Sequence, residues 1–125
     1  MKIFCFGNEF LKEDSLAKEL ADELRIDDIE FVKCNSPEDM LAESQEDYVI
    51  LDVAEGIEEV LLIESLSQLQ THNMVSLHDF DLSYFLKLMR NMGQLKEIKI
   101  IAIPMKGDKE KIKAAITELV KEKIL

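Results

Sequence analysis

Two hydrophobic periods alternate from one end of the chain to the other. Lys2 to Gly7 is a short apolar run broken by Gly7-Asn8, the pattern of a buried strand. Leu16, Leu20 and Leu24 then recur every four residues, with Ala17 and Ala21 beside them and Glu and Lys on the opposite face. That spacing predicts an amphipathic helix. Ile29 to Lys33 reads as a second strand. Ser36-Pro37-Glu38-Asp39 reads as a helix start. Ser36 can cap free backbone N–H groups, Pro37 lacks an N–H where none is needed, and the acids suit the positive end of the helix dipole. A short helix through Met40 and Leu41 should follow.

Tyr48 to Val53 is a continuous apolar run interrupted only by Asp52, as expected of a central parallel strand covered on both faces. Glu59 to Ile63 reads as another strand, in competition with a helix through Leu69. Asp81 to Met92 has helical spacing, with Leu82, Phe85, Leu86 and Met89 on one side and Gly93 at the stop position. Glu97 to Ile103 is a strand ended by Pro104. Asp108 then caps a last helix whose stripe is Ile112, Ala115, Ile116, Leu119 and Val120. The order β-α-β-α-β-β-α-β-α predicts an α/β fold. The expected form is a three-layer α/β/α sandwich around a mostly parallel five-stranded sheet. Strand 59–63 is the one expected to run antiparallel, at or near an edge. Residues 1–125 leave room for a single domain.

Charge narrows the function classes. The chain has 26 acidic and 15 basic side chains, a formal net charge of -11. Such a surplus repels nucleic acid and anionic lipid, and disfavours phosphate-rich substrates unless a metal ion bridges the two. The hydrophobic fraction of 47% is ordinary for a globular protein. Cys5 and Cys34 form no CxxC pair, so a Cys-rich zinc site is not expected. The apolar run at the N-terminus stops too soon for a signal peptide or membrane span. A cytoplasmic protein with reduced thiols, not inserted in a membrane, is the expectation. With no obvious exposed apolar stripe, a monomer is expected too.

Ligands of such sheets bind beyond the carboxyl ends of the strands. The polar residues there are Asn8, Glu13 and Asp14 after strand one, and Cys34, Asn35 and Ser36 after strand two. Asp52 closes strand three, Ser76 and His78 precede a helix, and Lys106 follows the last strand. Asp52 stands out because a carboxylate ending a Val-Ile-Leu run is costly to desolvate without a cation, donor or ligand. Its alternative role is a turn or capping aspartate. His78 could bind a metal or shuttle a proton, or be a surface histidine near a turn. Glu13 and Asp14 taken alone are ordinary helix-start acids. Cys5, inside a strand, should be an inert core thiol. Two carboxylates and an imidazole, Asp14, Asp52 and His78, would make a donor set suited to a divalent transition metal.

These residues resemble a known family. Gly7-Asn8-Glu9-Phe10-Leu11-Lys12-Glu13-Asp14 is similar to the N-terminal signature of the [NiFe]-hydrogenase maturation endopeptidases, and Tyr48 to Asp52 is similar to their third strand. Val75-Ser76-Leu77-His78, followed by Leu82 and Leu86, resembles their Ser-x-His motif before a helix. The resemblance implies a protease that removes the C-terminal extension of the hydrogenase large-subunit precursor after nickel insertion. It implies metal contacts at Asp14, Asp52 and His78, which also carry the catalytic role. The nickel is carried by the substrate and bound weakly or not at all by the free protein. Asn8, Cys34, Asn35 and Ser36 are the candidates for gripping the substrate. Relatives often carry Asp-Gly-Gly-Thr after strand two, where this chain has Lys33-Cys34-Asn35-Ser36-Pro37. A relative that binds a hydrogenase subunit without cutting it is therefore one alternative. Another is an acidic receiver-like signalling domain, with Asp52 as phosphoacceptor and Lys106 after its last strand.

Overall fold

The computed structural model describes residues 1–6, 16–34, 39–40, 47–64, 75–76, 93 and 97–125. Strands β1 (Lys2–Phe6), β2 (Glu30–Cys34), β3 (Asp47–Glu55), β4 (Leu61–Ile63), β5 (Val75–Ser76) and β6 (Glu97–Pro104) form one sheet. Its main path runs β2-β1-β3-β6-β4, with β5 attached to β3. β1 pairs in parallel with β2 and β3, and β3 with β6. β4 is antiparallel to β6 at an edge, as the sequence predicts for 59–63. The fold class is the expected one: α/β, around a mostly parallel sheet.

Helices α1 (Leu16–Glu23) and α2 (Lys109–Leu119) share one core with one face of the sheet. Alternation along the strands sends Ile3, Cys5, Val49, Leu51, Val53, Ile101 and Ile103 to that face. Ala17, Leu20, Leu24, Ile112, Ile116 and Val120 close over them. The other face presents Phe4, Phe6, Cys34, Tyr48, Ile50, Ile98 and Ile100, packed with Met40 and Ile63. Phe4 and Tyr48 meet there as tilted rings with centroids 5.5 Å apart.

Local chemistry sets several boundaries. Asp108 caps α2 by accepting a 2.9 Å hydrogen bond from the Glu110 N–H. The helix runs on into a π-helical turn, Val120–Ile124, whose last backbone carbonyl region is tied to the sheet by Lys99 Nζ, 3.2 Å from the Lys123 carbonyl oxygen. Gly93 has φ +74°, the left-handed backbone expected of a helix-stop glycine. The helix predicted over 81–92 lies outside the described residues, as does most of the one predicted after Ser36, of which Asp39 and Met40 are helical.

Two expectations are corrected. Strand three does not end at Asp52. It continues to Glu55, because β6 and β5 flank it and pair with Ala54, and it stops before Gly56, at φ +88°. β5 is a strand that two residues alone could not announce. Lys18, assigned by its spacing to the polar face of α1, is instead 4% exposed.

Candidate active site

The carboxyl ends of β1, β3 and β6 lie side by side, since these strands are parallel neighbours. Asp52 sits in β3, three residues before its end, opposite Ala102 of β6. By alternation it belongs to the same sheet face as Ile50 and Ala54, the face away from α1 and α2. It is 3% exposed, and its Oδ1 is enclosed and accepts no hydrogen bond, although the residue is engaged by other interactions. A carboxylate in such a place costs several kcal/mol to desolvate. Charge compensation, a ligand or a bound proton offsets that, and the first two are the chemistry the sequence signal implied. A buried carboxylate oxygen on a rigid central strand is a donor suited to a divalent cation.

Cys34 ends β2 as expected, but its side chain is fully buried in the core that includes Phe4, Phe6 and Met40, with Sγ 3.8 Å from the Val32 carbonyl oxygen, and so offers no surface for the substrate contact expected of it. Cys5 is also fully buried, and burial pushes its thiol far above the usual range, as an inert core thiol requires. Lys106, past β6, is exposed. Asn8, Asp14, Asn35, Ser36 and His78 lie outside the described residues. Among the described residues, no three His, Cys, Asp or Glu side chains gather into a metal-binding group.

The charged groups elsewhere do scaffold work. Lys109 pairs with Glu23 and, at 3.6 Å, with Glu19. Lys113 bridges Glu23 at 3.3 Å and Glu110 at 3.4 Å. This cluster joins α1 to α2. The hydrogen bond from Lys109 is the main cause that holds the Glu23 carboxyl below its ordinary range, and Glu23 in turn raises both lysines. A groove beside the cluster, lined by Glu23, Arg25, Lys113, Thr117 and Lys121 among others, does not include Asp52. Sequence reasoning missed one buried charge, Lys18; nothing in its spacing separates it from a solvated helix lysine.

The chain matches the crystal structure of the hydrogenase 3 maturation protease with a TM-score of 0.67, over 94% of this chain and 86% of that one. The two share a fold. Their sequences are 15% identical, so the likeness extends to the fold alone. No family model and no curated protein matches the sequence. No helix among the described residues is long and apolar enough to cross a membrane.

Proposed function

We propose that this protein is an endopeptidase that trims the C-terminal extension from a [NiFe]-hydrogenase large-subunit precursor once nickel is in place. The observation that carries the reading is the buried carboxylate of Asp52 on the central strand of a fold shared, over nearly the whole chain, with a hydrogenase maturation protease. The connections support it. β5 pairs Ser76 with Ala54, two residues beyond Asp52, and His78 follows Ser76 by two residues in sequence. Leu16, the first described residue of α1, follows Asp14 by two. Because β1 and β2 are parallel, α1 between them starts from the carboxyl end of the sheet.

In this reading the nickel is part of the substrate, held by the precursor's own cysteines. Asp14, Asp52 and His78 complete or sense its coordination, and so dock the scissile bond beside the strand ends. A metal in that position can polarise the peptide carbonyl or lower the pKa of an attacking water. Asn8, Asn35 and Ser36 are the residues proposed to touch the precursor. The enclosed Cys34 thiol supports the strand end from within. The protein acts as a monomer in the cytoplasm.

The topology disfavours the receiver-like alternative. The flavodoxin-like order is 2-1-3-4-5, whereas here the strand after β3 in sequence is an antiparallel edge beyond β6. To test the proposal, wild-type, Asp52→Ala and His78→Ala proteins are mixed with nickel-loaded precursor. Complex formation and the precursor's intact mass are followed together. Wild type is expected to bind and shorten the precursor, and both variants to leave it uncut. Binding without shortening by wild type would instead identify a non-cleaving relative.

A further inference from the structure

On the sheet face that carries Asp52, side chains line up in rows across neighbouring strands. Phe4, Ile50, Ile100 and Ile63 make one such row, set by the register of β1, β3, β6 and β4. All four are large and apolar. The next row toward the carboxyl end of β3 holds Asp52, Ala102 and Leu61. Ala102 is the register partner of Asp52, one strand spacing of about 4.8 Å away. It is also the exception in its own strand, since residues 100–103 read Ile-Ile-Ala-Ile. A strand covered on both faces favours β-branched residues, and alanine is a weak strand former. Strand formation alone would be served better by another isoleucine. The long register of β3 with β6, from Asp47↔Glu97 to Ala54↔Pro104, holds the alanine in place all the same.

We propose that Ala102 is a specificity-determining residue: its small side chain leaves the β6 flank of the Asp52 carboxylate free of bulk from the sheet, so that the carboxylate can meet a metal ion already wrapped in thiolates. This rests on the proposed recognition of substrate-borne nickel. A carboxylate oxygen holds a divalent ion at about 2 Å, and thiolates already on that ion stand about 2.3 Å beyond it. Such a group needs room beside the carboxylate as well as a lone pair from it. A β-branched side chain at 102 would put two methyl groups on that flank. The row is enclosed in the free chain, with Asp52 3% and Ala102 1% exposed, so even a small increase in side-chain volume is felt there. The change from isoleucine at 100 to alanine at 102 coincides with the change from Ile50 to Asp52 on the neighbouring strand. Bulk therefore gives way where the carboxylate begins.

Equilibrium binding of the full chain to nickel-loaded and to empty precursor, measured in parallel, tests this without relying on cleavage. Wild type is expected to prefer the loaded form at least about tenfold. Ala102→Val should lower that preference at least about tenfold and bind the empty form as wild type does. Ala102→Gly, which adds no bulk, should keep the preference within about twofold. Ala102→Thr has valine's shape with a hydroxyl that can donate to Asp52, and serves as a second bulky variant with the same expected loss. A preference unchanged in the bulky variants, a loss shared equally by loaded and empty precursor, or a loss in Ala102→Gly would each overturn the proposal. Unfolding of both bulky variants would assign Ala102 to packing and overturn it too. A wild type with no preference overturns it together with nickel recognition. The endopeptidase reading fails separately: a wild type that prefers loaded precursor but never shortens it, with the preference lost in Ala102→Val, loses that reading and keeps this one. A wild type that shortens the precursor while Ala102→Val keeps its full preference does the reverse.

Discussion

The two faces of the sheet are built from the same strands and serve different ends. On the face covered by α1 and α2, β3 contributes the aliphatic residues Val49, Leu51 and Val53 to the core. On the opposite face the series is Tyr48, Ile50, Asp52 and Ala54. The side-chain period of two lets one strand present a pure core to its helices and, one residue on, a buried carboxylate to the other side. The first face holds the molecule together. The second spends stability on one charge, and a rigid neighbour behind it keeps that charge in place. Function is therefore expected to separate from stability residue by residue along β3.

The largest effect should come from the functional position. Asp52→Ala is expected to reduce precursor processing at least about 100-fold, beyond the range for residues that merely support a metal ligand. Its denaturant midpoint should change little or rise, because a buried charge is removed. Loss of folding in place of loss of processing would erase the distinction between the faces. The converse experiment is Leu51→Ala, next in sequence and on the helix-covered face. It should cost about 2–5 kcal/mol in chemical denaturation. Processing per folded molecule should stay close to wild type.

Smaller effects sharpen the picture of the helix-covered face. Asp108→Ala removes the cap of α2 and should cost about 0.5–2 kcal/mol, read in the same unfolding experiment. The smallest effect concerns Glu23, whose folded-state pKa is depressed chiefly by Lys109. A depressed acid contributes stability that is present above its unfolded pKa and is lost as pH falls through its folded value. Thermal unfolding of wild type and Glu23→Gln should therefore differ slightly at neutral pH and converge below the ordinary glutamate range. The exposed setting of the pair keeps the difference small. A gap that widens on acidification would contradict the sign of the shift.

Much of this division was legible in the sequence. The Leu16, Leu20, Leu24 spacing predicts α1, the Val-Ile-Leu run predicts a doubly covered central strand, and Asp108 is a cap by chemistry alone. The antiparallel edge at 61–63 was legible as well. The last residues of β3 were not, because Ala54 and Glu55 carry weak strand propensity and are held by partners far away in the chain, Pro104 and Ser76 for Ala54 and Val75 for Glu55. β5 is too short to have a period. The burial of Asp52 followed from its apolar neighbours. The burial of Lys18 did not, since an amphipathic pattern assigns a lysine on that side of the helix to solvent. The expected contacts at Asp14, His78, Asn8, Asn35 and Ser36 rest on sequence alone.

The central claim is that the carboxylate-bearing face reads the metal state of a protein substrate. Its most direct test is the intact mass of a hydrogenase large-subunit precursor after incubation with the wild-type protein, once with nickel inserted and once without. The account predicts loss of the C-terminal extension from the loaded precursor and none from the empty one. Equal trimming of both, or of neither, would contradict it.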